Sequence, residues 1–137
     1  MNSNNDKQNV TIIDDDEDIL FFLKKAIERR FSVNVATFAE AESALKFLKE
    51  GNICHCVVSD YQMPTMNGIE FAKELASLKL GIPLIILTGY GTPVLERTAF
   101  KSDCYEFVSK PIDDKFYQAL ENSLRISKLE WKDNYSI

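Results

Sequence analysis

Carboxylates gather at two points of this 137-residue chain. Asp14-Asp15-Asp16-Glu17 follow directly on the apolar run Val10-Thr11-Ile12-Ile13, and Asp60 closes a second run, Cys56-Val57-Val58-Ser59. Adjacent like charges repel. If both runs are parallel strands whose ends meet, the acidic pocket so formed needs a divalent cation or a shared proton. Carboxylate oxygens suit a hard cation such as Mg2+, which keeps several waters and takes one or two carboxylates plus phosphate oxygens. Thr88 ends a fourth apolar run and Lys110 follows a fifth. A hydroxyl and an ammonium beside the metal would hydrogen-bond and neutralise the remaining oxygens of a transferring phosphoryl group. Asp60 is left as the nucleophile, and the acyl phosphate it would form is labile, which suits a reversible signal.

Such a pocket requires a scaffold that delivers distant residues to one edge. Apolar runs recur at Val10 to Ile13, Val33 to Thr37, Ile53 to Ser59, Pro83 to Thr88 and Tyr105 to Val108, separated by segments of helical spacing. Strand and helix in alternation predict an α/β domain, a parallel sheet with helices on both faces. Ligands in such sheets bind at the carboxyl ends of the strands, where Asp14, Asp15, Asp60, Thr88 and Lys110 all fall.

In the first helix Ile19, Phe22, Leu23, Ala26, Ile27 and Arg30 follow the three-and-four rhythm, with the acidic run at the positive end of its dipole. The second runs from about Glu40 to Glu50, with Gly51 as its stop, and the third starts near Asn67-Gly68. The fourth, Thr92 to Lys101, has few apolar positions and a loose entry at Gly89 and Gly91. It is expected to be short and mobile. A last helix from Asp113 to about Lys128 aligns Ile112, Phe116, Leu120 and Leu124. Residues 1–8 read as a disordered lead, 9–128 as one domain, and 129–137 as a tail that prolongs the last helix or lies loose over it, with Trp131 packing back on the domain, or as the start of a linker.

Size and charge narrow the function. One continuous core fits 137 residues, and a second folded domain does not. A net charge of −5 with scattered Lys and Arg argues against direct nucleic-acid binding. The polar N-terminus is no signal peptide, and no apolar run approaches the roughly 20 residues of a membrane span. Three cysteines do not suggest a secreted disulfide framework, so a reducing cytoplasm is the expected compartment. Cys54-His55-Cys56 is a poor zinc site, because alternation on a strand sends His55 away from the cysteines and no fourth ligand is near.

Four motifs in order, Ile12-Ile13-Asp14-Asp15-Asp16-Glu17, Ser59-Asp60-Tyr61-Gln62-Met63-Pro64 with Asn67-Gly68, Leu87-Thr88-Gly89 and Ser109-Lys110-Pro111, resemble those of receiver domains of bacterial response regulators. The resemblance covers about Asn9 to Lys128. It implies a flavodoxin-like, doubly wound five-stranded sheet of order 2-1-3-4-5 with five helices. It also implies that Asp60 is the phosphoacceptor and a metal ligand, Asp15 a direct Mg2+ ligand, Asp14 a ligand through water, and the Gln62 carbonyl a further one. Thr88 and Lys110 would hold phosphoryl oxygens, the Lys110-Pro111 bond would be cis, and Phe107 would turn inward as Thr88 moves. The implied phosphodonor is a histidine kinase or phosphotransfer protein. The implied output is a changed surface of helix 4, strand 5 and helix 5, offered to a downstream protein or to a second copy in a phosphorylation-dependent homodimer. Gln62 and Tyr90 would flank the path of attacking water and set the phosphoryl lifetime, a long one if the Tyr90 ring obstructs that path.

Each residue alone has a plainer explanation: Asp16 and Glu17 as helix caps, Thr88 as a strand-end hydroxyl, Lys110 as a solvated lysine, Phe107 as strand filling. Together they favour a signalling switch that only accepts and slowly loses its own phosphoryl group. A haloacid-dehalogenase-type phosphatase also attacks with a strand-end Asp and uses Mg2+, but it wants a second Asp where Gln62 stands. An unphosphorylated interaction module of the same fold would have little reason to carry all five site residues.

Overall fold

The structure, a computed structural model, describes the backbone of residues 7–135 and the side chains of residues 7–127. Strands β1 (Gln8–Ile13), β2 (Val33–Phe38), β3 (Cys56–Asp60), β4 (Leu84–Thr88) and β5 (Glu106–Ser109) alternate with helices α1 (Glu17–Arg30), α2 (Ala41–Lys49), α3 (Gly68–Ser77), α4 (Pro93–Lys101) and α5 (Asp114–Tyr135). The strands form one parallel sheet in the order β2-β1-β3-β4-β5. This is the doubly wound arrangement expected from the alternation and the family likeness.

Side chains alternate across the sheet, so each face has its own core. On one face Val10, Ile12, Val58, Ile85 and Leu87 pack with Leu20, Leu23 and Ile27 of α1 and Phe116, Leu120 and Leu124 of α5. On the other, Ile13, Val57, Leu84 and Ile86 pack with Ala44, Leu45 and Leu48 of α2, Phe71, Ala72 and Leu75 of α3, and Ala99 of α4. Burial of both faces explains why the central strands read as continuous apolar runs.

Local signals start the helices. The Asp16 side chain accepts from the amides of Asp18 at 2.9 Å and Ile19 at 3.3 Å, capping α1. Asn67 and Glu70 exchange bonds of 2.8 and 3.0 Å in a capping box that starts α3. Thr92 caps α4 through the Leu95 amide at 3.1 Å, with Pro93 in the first turn. Gly51, at φ +92°, follows α2 in the left-handed region that favours glycine.

Two details depart from the sequence pattern, and a third decides between courses it left open. Phe22 does not face the core: it is 58 % exposed and its neighbour Phe21 is 65 % exposed, because the buried line of α1 is Leu20, Leu23 and Ile27. Helix α4 is no shorter than α2, at nine residues each, but it buries only Ala99 where α2 buries four residues. The α5 backbone continues as helix to Tyr135, so the residues after Lys128 take the course that prolongs the last helix. The expected lead before residue 7 and the packing expected of Trp131 lie outside the described residues.

Candidate functional site

Strand register sets the acidic site. Ile13 lies beside Ser59, so the residues that follow each, Asp14 and Asp60, stand side by side at the carboxyl edge of the sheet. The Asp14 amide still donates to the Phe38 carbonyl at 3.1 Å, which holds it in line with β2. Asp14, Asp15 and Asp60 each bring a carboxylate oxygen to within 4.8 Å of the others, the one such cluster of potential metal ligands among the described residues.

The two members of the tandem live in different surroundings. Asp14 is 1 % exposed, whereas Asp15 is exposed to solvent. Asp14 Oδ1 accepts from the Asp16 amide at 2.9 Å, but Oδ2 is buried with no hydrogen-bond partner. Lys110 Nζ stands 3.6 Å from that oxygen and 2.9 Å from Asp60 Oδ1. Burial, above all, raises the pKa of Asp14; the charges of Asp60 and Asp15 add to this, while the Asp16 amide and Lys110 oppose it. For Lys110, burial lowers the pKa, but its bond to Asp60 and the charges of Asp60 and Asp14 outweigh it, and the net shift is upward.

Three carboxylates against one ammonium leave two negative charges unbalanced when all are ionised, 3 − 1 = 2. One divalent cation would balance them. The donor set is all oxygen, and a buried carboxylate oxygen lacks a partner, so the residues present fit a hard cation of the Mg2+ type.

The remaining candidate residues lie in or just after β3, β4 and β5. Thr88, 3 % exposed, accepts from the Tyr90 amide through Oγ1 at 3.2 Å, and its carbonyl accepts from the Lys110 amide at 2.8 Å. The second bond fixes the end of β4 to the residue that follows β5. The Lys110-Pro111 peptide is cis. Gln62 is exposed in the loop after Asp60, a loop closed by the Gly68 amide donating to the Tyr61 carbonyl at 2.7 Å. A Cβ at Gly68 would lie 3.1 Å from both the Asp60 carbonyl oxygen and Tyr61 Cα, so any larger residue would press on this backbone and glycine suits the close approach. Phe107 is half-buried against the second core, and Tyr90 is 83 % exposed.

Asp14, Asp15, Asp60 and Lys110 therefore meet directly, Thr88 joins them through the backbone of Lys110, and Gln62 and Tyr90 stand in the loops that follow Asp60 and Thr88. The sequence did not reveal that Asp16 has two tasks, capping α1 with its side chain and holding Asp14 with its amide. Cys54, His55 and Cys56 serve the fold. The Asn9 amide donates to His55 Nδ1 at 2.9 Å, Cys54 Sγ lies 3.3 Å from Thr11 Oγ1, and burial pushes the Cys56 and Cys104 thiols up, Cys104 to about 12.

Comparison with known proteins gives the same answer. Residues 10–121 match the family described as the response regulator receiver domain. The response regulator protein TmoT of Ectopseudomonas mendocina is 29 % identical over 126 residues, and the transcriptional regulatory protein FixJ of Bradyrhizobium diazoefficiens 33 % over 123. These alignments cover 90 % and 87 % of this chain but only 56 % and 58 % of the relatives, so the chain spans little more than half their length. Among solved structures, a response regulator receiver domain protein from Clostridium thermocellum superposes with a TM-score of 0.82 at 27 % identity, covering 89 % of this chain and 98 % of that one. The beryllofluoride-activated NtrC4 receiver domain dimer gives 0.79 at 25 %, covering 87 % and 98 %. No helix among the described residues is long and apolar enough to cross a membrane. By the ordered acidic, threonine and lysine motifs, the sheet that gathers them and the match across most of its length, this chain belongs to the response regulator receiver domain family, signalling modules of two-component systems rather than true enzymes.

Proposed function

We propose that Asp60 is the phosphoacceptor of a Mg2+-dependent switch, loaded by a histidine kinase or phosphotransfer protein in the cytoplasm. The observation that supports this most is the Asp60 carboxylate held at 2.9 Å by Lys110 beside a buried Asp14 whose second oxygen has no hydrogen-bond partner. An Asp60 oxygen attacks phosphorus, a P–O bond forms, and the bond from phosphorus to the donor nitrogen breaks with its electron pair leaving on nitrogen. Asp15 and Asp60 would hold the metal directly, Asp14 through water, and the Gln62 carbonyl would complete the protein's share. The bound cation supplies charge neutralisation at the phosphoryl oxygens.

Lys110 then exchanges its pairing with Asp60 for a phosphoryl oxygen, and Thr88 turns its hydroxyl from the Tyr90 amide to another. Phe107 follows Thr88, and the face formed by α4, β5 and α5 changes its complementarity to a downstream protein or a second copy. The dimeric state of the activated NtrC4 receiver is in keeping with the second possibility. Water later attacks phosphorus, inorganic phosphate leaves and Asp60 is restored. Gln62 and Tyr90 set the pace of that step.

Intact mass spectrometry after incubation with a small phosphodonor and Mg2+ tests the assignment. A transient gain of one phosphoryl group in wild type, absent in Asp60→Asn, is the expected result. Turnover of many donor molecules without accumulation would instead favour a phosphatase, and no labelling under any metal condition would favour an unphosphorylated module.

A further inference from the structure

Residues 61–67, which join β3 to α3, are held firmly at their ends and thinly between. At the ends, the Tyr61 amide donates to the Leu87 carbonyl at 2.8 Å, the Gly68 amide donates to the Tyr61 carbonyl at 2.7 Å, and the Asn67–Glu70 capping box starts α3. Between them Met63 and Met66 pack half-buried against the second core, while Gln62, Pro64 and Thr65 are exposed. An exposed stretch with few ties has other conformations within reach.

One bond crosses from the middle of this loop to a helix. Thr65 Oγ1 lies 2.8 Å from Glu42 Oε1 and 3.1 Å from Oε2, so the hydroxyl donates to a carboxylate 23 positions earlier in the chain. Among the described residues it is the one hydrogen bond that joins residues 62–66 to a helix; the other side-chain tie there is a weak one, from Ser59 Oγ to the Met63 sulfur at 3.8 Å. Glu42 is a sound anchor. It sits in the first turn of α2, where the helix dipole favours a negative charge, and α2 is fixed to the sheet by the burial of Ala41, Ala44, Leu45 and Leu48. The bond caps no helix, because Glu40 and Asn67 hold the cap positions of α2 and α3. What it fixes is the loop.

We propose that Glu42 and Thr65 are positioning residues of the metal site: their bond clasps the loop to α2 in the arrangement that presents the Gln62 carbonyl to the cation beside Asp60. Neither side chain touches a reacting atom. The clasp acts by raising the fraction of molecules whose loop is ready for the cation, and it rests on the assignment of the Gln62 carbonyl as a metal ligand under Proposed function.

Isothermal titration of the full chain with Mg2+ tests the clasp. Apparent affinity falls with the fraction of molecules in the competent arrangement, so Thr65→Val, which keeps the shape and removes the donor, should bind Mg2+ roughly threefold more weakly. Thr65→Ser keeps the hydroxyl and should bind as wild type does. Glu42→Gln, which keeps an acceptor without the charge, should lose less than Glu42→Ala, and the double variant Glu42→Ala with Thr65→Val should lose no more than either alone. Linkage adds a readout that a bond serving only the fold would not move. The rise in melting temperature caused by a fixed excess of Mg2+ should be smaller in Thr65→Val than in wild type. It should be unchanged in Ser77→Ala, which loses an exposed hydroxyl bond to the Glu74 carbonyl at the far end of α3. A Thr65→Val protein that binds Mg2+ as tightly as wild type, or whose loss adds in full to that of Glu42→Ala, would overturn the clasp and leave the metal site standing. A wild-type protein with neither binding heat nor thermal shift on adding Mg2+ would overturn the metal assignment and the clasp with it.

Discussion

The loops that hold the carboxylates and the loop that follows Thr88 are built on opposite principles. After β1, Asp14 is buried, bonded to the Asp16 amide and aligned with β2, and Asp16 caps the helix that follows. After β3, Gly68 and the Asn67–Glu70 capping box close the turn. After β4, Gly89 stands in open space, Tyr90 is 83 % exposed, and α4 buries a single residue. One end of the site is fixed by several independent bonds, and the other is left few. A charge cluster must be pre-organised to bind a cation, whereas a segment that changes state must have little to lose when it moves.

The largest effect should come from the fixed end. Asp14→Asn removes a buried charge that faces the cluster, and Mg2+ affinity should fall roughly tenfold or more, by the measure typical of groups that support a metal's ligands; isothermal titration would show it. An unchanged affinity would mean that Asp15 and Asp60 suffice, and that the rigidity around Asp14 serves only the fold. At the loose end, Tyr90→Glu should shorten the phosphoryl lifetime about threefold, on the order of 0.6 kcal/mol of barrier, followed by decay of the labelled mass. A lifetime equal to or longer than wild type would remove the ring from any part in water access.

Stability offers a smaller contrast. Asn67→Ala breaks the capping box and should destabilise the domain by about 1 kcal/mol in urea unfolding, while Gly89→Ala should change it by less than about 0.5 kcal/mol. Equal losses would erase the distinction between the two loops. The smallest effect lies at the other end of the sheet. Burial lowers the pKa of His55 below its ordinary 6.5, so the native domain resists a proton that the unfolded chain accepts. Its stabilising contribution is complete above about pH 6.5 and declines as pH falls from there through the lower native value. Replacing it in His55→Gln should flatten that part of the stability curve and leave phosphoryl labelling unaltered.

Much of this was legible in the chain because the signals were local or repeated. An acidic run directly after an apolar run fixes where β1 ends, and Asp60 after Ser59 does the same for β3. Thr88 and Lys110 gained meaning only from their order behind those runs. Phe22 misled, because in a helix rhythm of three and four a position one step off the buried line also fits the count. The unequal burial of Asp14 and Asp15 was invisible, since it depends on which way the chain turns as it leaves the sheet. Gly91 could not be distinguished from Gly89 in the sequence; its neighbour is the Phe107 ring, sixteen positions further on, beyond α4.

The register of β1 against β3 has one more effect. Thr11 and Ile13 are as well buried as Val10 and Ile12, so alternation between greasy and polar faces does little to forbid a slip by one residue. The acidic tandem does forbid it. Advancing the strand by one residue would carry Asp14 into the fully buried place of Ile13 and Asp15 into the dry place that Asp14 leaves, so the cost of taking a second charge out of water acts as the stop that keeps the central strand in place.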